Sequence, residues 1–239
     1  MLRLILFFTF ATVTLVARAQ SPAPGLAGKV EGRIYSSPTG AFKVAIPVLP
    51  ELGGSVSDTP NVVTFQDDFN THVSIAAFPQ DATQRWEEST RGLKDYLVYF
   101  FSNYVLSDFK QAFPGAQIES AKFVPAMLDG ALITSILLPG GSMFADKVPR
   151  VTASGQPPVA KRGNLLFIKS GHVFVISVEL AEKVIEGSAY KKTTVQEDEI
   201  LRQRLTDVVS KIQFSKPTVA PPTASAPSAP PTDFSSPKK

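Results

Sequence analysis

The sequence lacks cysteine altogether and contains only two histidines and one tryptophan among 239 residues. Without cysteine the chain forms neither a disulfide nor a thiolate metal site, and cysteine catalysis is excluded. A domain without disulfides has to be stabilised by its apolar core, and this chain is long enough to bury one. The composition therefore predicts an ordinary globular domain with appended segments rather than a disulfide-stapled module.

The first 19 residues have the composition of a secretory signal peptide. Arg3 precedes an apolar run over residues 4–16, and Ala17 and Ala19 provide the small residues that a signal peptidase recognises. We expect cleavage between Ala19 and Gln20. The apolar run is shorter than the ~20 residues of a spanning helix, so no stable membrane span is expected after cleavage.

The region around the expected cleavage site also limits the class of exported protein. No cysteine stands there, which excludes a bacterial lipoprotein. The lack of disulfides favours a bacterial envelope protein over a small secreted animal module. We therefore expect a secreted or periplasmic protein.

The formal net charge of +3 comes from the two ends of the chain. Residues 20–215 contain 19 basic and 20 acidic side chains. A domain this close to neutrality lacks the basic surface that binds nucleic acid, so no nucleic-acid partner is expected.

The composition divides the chain into four parts. Residues 1–19 are the signal peptide, 20–28 a Pro/Gly/Ala linker, 29–215 one domain and 216–239 a tail. Seven of the 24 tail residues are proline, and the tail has almost no apolar bulk, so it is expected to be disordered. An inert end and a surface-attachment segment are the two alternatives for this tail.

Residues 92–113 hold seven of the 23 aromatic residues and follow a helical period. The main apolar face of this helix comprises Leu93, Tyr96, Leu97, Phe100, Phe101 and Tyr104. A second apolar stripe contains Val98, Val105 and Phe109, with Leu106 further round the helix. Either a bend near Ser107 buries both stripes, or the second stripe is a contact surface. In the second case we expect self-association through Val105 and Phe109.

Short alternating segments on both sides of this helix predict strands. Their ranges are 30–35, 42–46, 61–65 and 72–78 before the helix, and 117–124, 131–138, 164–169 and 172–180 after it. Capping boxes at Asp81 and Thr194 open helices. Hairpin-length connections predict an α+β fold, in which helices pack on the faces of a twisted, mostly antiparallel sheet.

Residues 35–47, with the sequence YSSPTGAFKVAIP, resemble the opening of PsbP-like domains. This group of α/β/α sandwiches includes extrinsic photosystem proteins, Ran-binding Mog proteins and an exported bacterial branch of uncharacterised proteins. The order of strands and helices is similar over most of residues 30–214. Val48-Leu49-Pro50 stands where such openings often carry an aromatic residue. The resemblance implies this fold and a binding or assembly role, and it assigns a function to no residue here.

Motifs for catalysis and metal binding are missing from the sequence. It contains no zincin, α/β-hydrolase or P-loop signature. His72 and His172 are either strand residues or a two-histidine zinc pair, and Asp67, Asp68 and Asn70 form either a hairpin turn or a calcium loop. The strand and turn interpretations are preferred, so no catalytic, metal or cofactor site is predicted.

Residues 139–163 are rich in glycine and proline and predict a long loop. Four basic residues in it are candidates for a ligand or partner site: Lys147, Arg150, Lys161 and Arg162. We expect an exported non-catalytic binding or accessory domain that serves an unknown envelope protein or ligand. The alternative is an envelope or extracellular enzyme that acts on a small molecule in a site under loop 139–163.

Overall fold

The computed structural model describes residues 25–148 and 156–215. The predicted cleavage site between Ala19 and Gln20, the candidate Arg150 and the predicted tail lie outside these residues. The strands are β1 Lys29–Glu31, β2 Ile34–Ser36, β3 Phe42–Ala45, β4 Ser55–Asp58, β5 Val62–Gln66, β6 His72–Pro79, β7 Gln117–Val124, β8 Ala131–Pro139, β9 Val159–Lys169, β10 His172–Glu179 and β11 Ile212–Phe214. The α-helices are α1 Ala82–Arg91, α2 Leu93–Phe100, α3 Leu106–Ala112, α4 Ala181–Ile185 and α5 Thr194–Ser210.

Seven strands form one antiparallel sheet in the order β4-β5-β6-β10-β9-β8-β7. The β9–β10 hairpin turns at Ser170 and Gly171, both of which have positive φ. β10 is buried on both faces along almost its whole length, because it lies near the middle of the sheet and layers cover it on both sides. This large sheet carries the residues that line the candidate site.

A second, four-stranded sheet has the order β1-β2-β3-β11. The predicted strand over 30–35 was wrong in one respect: Gly32, at φ 59°, breaks it into the β1–β2 hairpin. β4 and β11 were not predicted, since strands of three or four residues carry little periodic signal. The predicted α+β class with antiparallel pairing is confirmed, but the strands are divided between two sheets.

The large sheet has a different apolar layer on each face. The small sheet and α5 cover one face, where Phe42, Phe65, Phe174 and Leu201 belong to one core cluster. The helices α2 and α3 cover the other face. There the second core cluster contains Tyr96, Leu97, Phe100, Phe101, Leu106, Leu132, Ile136, Leu166, Val173 and Val175.

Residues 93–112 form one continuous helical segment, here called the aromatic helix. It is separated from α1 by Gly92 at φ 77°, and Asp81 caps α1 by accepting a hydrogen bond from the Gln84 amide at 2.7 Å. The capping box predicted at Thr194 is formed instead by Thr193 with Gln196. Within the described residues, no helix is long and apolar enough to cross a membrane.

The aromatic helix contains a π-helical turn over Phe101–Val105. A π-turn adds a residue to the turn and rotates the following part of the helix relative to the first. Leu106 is therefore buried, although a regular helical period placed it away from the main face. The bend predicted near Ser107 is replaced by this turn, and Val105 and Phe109 are only half-buried.

Candidate ligand-binding groove

An open groove of about 480 Å³ lies between the aromatic helix and the large sheet. Its floor consists of two registered pairs, Ser74 with Ser177 and Ala76 with Val175, from β6 and β10. These side chains are small, so the helix and the sheet do not close against each other at this point. The volume falls within the range of small-molecule binding sites.

The aromatic helix forms one wall of the groove. Val105 and Phe109 of the second apolar stripe line it, together with Phe100 and Tyr104 of the main face. Tyr104 is 46% exposed, while Phe100 is buried. Val105 and Phe109 are thus half-buried and border an open apolar space, while Val98 is exposed outside the groove.

A row of polar side chains crosses the sheet beneath the groove. The register aligns Ser74 with Ser177, Ser177 with Asn164, and Asn164 with Thr134. The Ser177 hydroxyl donates to Asn164 Oδ1 at 2.6 Å, and Asn164 Nδ2 donates to Thr134 Oγ1 at 3.3 Å. Because these buried groups satisfy one another, the row is compatible with the apolar surroundings. Ser74, at the end of the row, is half-buried and faces the groove.

Polar groups also stand along the groove walls. Among the described residues, no group donates a hydrogen bond to the buried Gln84 Oε1. The Asn103 side-chain amide donates to the Tyr99 carbonyl at 2.8 Å, which leaves Asn103 Oδ1 available. Asp108 is the single charged side chain among the lining residues that the structure describes.

A buried ion pair lies beyond Phe109. The Arg162 guanidinium is 5.6 Å from the centre of the Phe109 ring, and its Nη2 is 3.3 Å from Glu179 Oε2. The Ser142 hydroxyl and the Met143 amide also donate to the Glu179 carboxylate, at 2.6 and 3.1 Å. The pair therefore ties the start of the 140–158 connection to β9 and β10 and fixes the ring of Phe109 at one end of the groove.

His72 is 4% exposed at the start of β6. Burial, and secondarily the charge of Arg162, lowers the pKa of His72 from 6.5 to about 3. Nδ1 of His72 has no hydrogen-bond partner among the described residues. His72 is thus a neutral core residue at neutral pH.

The buried neutral state of His72 predicts acid-sensitive stability. The pKa of His72 is lower in the folded chain than in the unfolded chain. Below pH 6.5 the unfolded chain therefore binds more protons than the folded chain, and the free energy of unfolding decreases as the pH decreases. From pH 6.5 down to about pH 4.5 we expect a slope of at most about 1.4 kcal/mol per pH unit, measured by urea denaturation. His72→Gln should flatten this slope. His172→Gln, which leaves His72 in place, should retain it; equal slopes in both variants would contradict the assignment.

A second ionic cluster lies on the opposite face of the large sheet, under α5. Lys161 Nζ is fully buried and contacts the carboxylates of Glu197 at 3.0 Å, Asp198 at 2.8 Å and Glu119. Burial acts to lower the pKa of Lys161, but the hydrogen bonds to these carboxylates outweigh it and raise the pKa. Lys161 therefore stays charged and joins β7, β9 and α5.

The basic residues predicted as a ligand or partner site do not all lie in one loop. Lys161 and Arg162 belong to β9, because the connection from β8 ends at residue 158 rather than 163. Both are buried in ion pairs, and they face opposite sides of the sheet. Lys147 is exposed on a 3₁₀ turn, with its ammonium 5.8 Å from the centre of the Phe144 ring. Arg150 lies outside the described residues, so a ligand role for Lys147 and Arg150 stays a prediction.

The residues considered for metal binding in the sequence do not form metal sites in the described part of the chain. His72 and His172 lie at opposite ends of the paired strands β6 and β10, about 23 Å apart at ~3.3 Å per residue, which excludes a shared metal ion. The Asp67 carboxylate accepts hydrogen bonds from the amides of Phe69, Asn70 and Thr71 at 2.9–3.0 Å. This is the geometry of a side-chain-stabilised turn.

Solved structures of other proteins are similar to this one at low sequence identity. No family model and no curated protein matches the sequence. The Ran-binding protein Mog1p of Saccharomyces cerevisiae is similar in structure, with 10% identity and a TM-score of 0.44 over 80% of this chain and 96% of that one. PsbP (CyanoP) of Synechocystis sp. PCC 6803 is similar with 12% identity and a TM-score of 0.45, over 83% and 99%. A Mog and a PsbP protein are thus among the similar structures, as the resemblance of residues 35–47 implies, but at TM-scores below 0.5 the similarity carries no argument about this chain.

Proposed function

We propose that this chain is an exported, non-catalytic binding or accessory domain of the bacterial cell envelope, and that the groove is its binding surface. The observation that carries the proposal is the open apolar space between the aromatic helix and β6–β10. Unfilled apolar volume lowers stability, so a helix selected only for packing would close onto the sheet. The sequence of the first 19 residues supports export.

The partner is proposed to be an envelope protein or ligand that presents apolar groups. Tyr104, Val105 and Phe109 offer an apolar and aromatic surface that is partly exposed, and aromatic residues of this kind are enriched in binding interfaces. Beyond β6 the same face of the sheet continues over Thr64, which is half-buried, and Ser57, which is exposed. A bound partner therefore has room to extend from the groove across β5 and β4.

Filling the groove should abolish partner binding. Ser74→Phe places a ring on the half-buried floor position, and we expect capture of the envelope component by immobilised residues 20–239 to fall about tenfold or more. The matched control is Ser102→Phe, since Ser102 is exposed on the same helix and does not line the groove. Circular dichroism and thermal unfolding establish that both variants are folded.

Two outcomes would count against this function. Undiminished capture by folded Ser74→Phe would remove the groove from binding, and equal loss in both variants would point to an unspecific effect. The alternative partner for the same surface is a second copy of this chain, bound through Val105 and Phe109. Light scattering of the wild type and of the Val105→Ser/Phe109→Ser double variant decides it: a wild-type dimer that the double variant converts to a folded monomer would make the partner a second copy.

A further inference from the structure

Aromatic rings cluster along the walls of the groove. The ring centres of Phe78 and Phe100 are 5.9 Å apart, and those of Phe100 and Tyr104 are 4.9 Å apart; all three residues line the groove. The faces of aromatic rings carry negative potential and attract organic cations. The chain already uses this interaction elsewhere, since the Arg91 guanidinium lies 4.4 Å from the centre of the Tyr99 ring.

The residues that line the groove carry a negative charge. Asp108 is the one charged lining residue in the described part of the chain. Arg162 lies next to Phe109 but is paired with Glu179, so this pair adds no net charge. Glu87 is paired with Arg91, so that pair adds no net charge either. An anionic ligand would meet unfavourable potential here, while a cation would be stabilised.

Two amide oxygens in the groove have no hydrogen-bond donor among the described residues. Gln84 Oε1 is buried without a donor among the described residues. The side-chain nitrogen of Asn103 donates a hydrogen bond to the Tyr99 carbonyl, which leaves Asn103 Oδ1 as an acceptor. The Ser177 hydroxyl gives its proton to Asn164. A ligand that carries N–H or O–H donors can pair with these two oxygens.

We propose that the groove binds an organic cation with an apolar body, such as an alkyl- or arylammonium group. The aromatic walls hold the apolar body, and the carboxylate of Asp108 attracts the cationic end. This inference rests on the proposed function of the groove as a binding surface, and it adds the charge and the chemical class of the ligand.

Three octyl compounds that differ only in their head group test the inference. Octyltrimethylammonium, octanol and octanoate are titrated into residues 20–239 at pH 8, below any aggregation, and affinity is measured by calorimetry. We expect the cation to bind most tightly and octanoate most weakly. Asp108→Asn should lower the affinity for octyltrimethylammonium about fivefold and leave the affinity for octanol unchanged. The control Asp95→Asn removes an exposed carboxylate from the same helix, outside the groove, and should change neither affinity.

The remaining outcomes separate this inference from the proposed function. Equal binding of the three compounds, or tightest binding of octanoate, would overturn the cation preference while Ser74→Phe still tests the groove. If none of the three binds but Ser74→Phe still abolishes partner capture, the ligand class is wrong and the binding function stands. If the compounds bind equally to wild type and Ser74→Phe, the groove is not their site, and the inference fails.

Discussion

Replacing Lys161 with methionine is expected to lower the free energy of unfolding by about 3–5 kcal/mol, the cost of breaking a buried ion pair from one side. Methionine preserves most of the side-chain volume, so the loss reports on charge rather than on a cavity. Without the ammonium group, Glu197, which is 1% exposed, keeps Lys183 as its one cationic partner among the described residues. Asp198 and Glu119 lose their contacts to the same ammonium.

Lys169→Met is the matched control for Lys161→Met in urea denaturation. Lys169 lies in the same strand and pairs with Asp129 at 3.0 Å, but its side chain is 40% exposed. Exposed pairs contribute between about 0 and 1 kcal/mol, so the control should change stability by no more than that. Similar losses in the two variants would show that Lys161 is hydrated in solution and that the cluster under α5 is not a buried network.

Leu97→Ala is expected to destabilise the domain by about 3–4 kcal/mol, whereas Val98→Ala should cost about 0.5 kcal/mol or less. Leu97 is fully buried against the sheet, and Val98, its neighbour in sequence, is 42% exposed. The comparison tests the phase of the aromatic helix, because a change of phase would exchange the two environments. Chemical denaturation measures both values.

Equal losses of stability in Leu97→Ala and Val98→Ala, or a larger loss in Val98→Ala, would contradict this orientation of the aromatic helix. The groove depends on this orientation. The face that buries Leu97 also places Tyr104 and Val105 of the π-turn, and Phe109 after it, along the edge of the groove. A helix in another phase would not present these residues to Ser74 and Ser177.

The elements with strong periodicity were predictable from the sequence. The alternation over 72–78 and the period of residues 92–113 correspond to β6 and the aromatic helix. The π-turn was not predictable, since it changes the phase by one residue without a distinctive composition. The predicted bend at Ser107 was placed there because a regular helix leaves Val105 and Phe109 far from the main face.

The boundary of β9 was misplaced because of Gly163. A glycine next to a proline- and glycine-rich segment predicts the end of a loop, yet this glycine lies inside the strand. A Cβ at this position would stand 3.0 Å from Cβ of Leu201, so glycine allows α5 to approach the sheet. Lys161 and Arg162 were consequently predicted as ligand or partner candidates in a loop, when both are buried in a strand.

The groove itself was not predicted, because it depends on long-range register. Ser74 and Ser177 are small polar residues at positions where the strand pattern alternates with large apolar ones, and this was the available signal. Only the pairing of β6 with β10 brings them together under the aromatic helix. The acceptors Gln84 and Asn103 come from α1 and the π-turn, which local sequence cannot place beside those strands.

Photo-crosslinking from the groove tests the central claim most directly. A benzoylphenylalanine at Ala112, an exposed lining residue, is compared with one at Gln203 on the exposed side of α5, on the far face of the sheet. Residues 20–239 are incubated with envelope fractions of the cells that produce the protein, and adducts are identified by mass spectrometry. We expect a specific adduct from position 112 that Ser74→Phe removes, and none from position 203. An adduct from position 203 alone, or one from position 112 that persists in Ser74→Phe, would contradict binding through the groove.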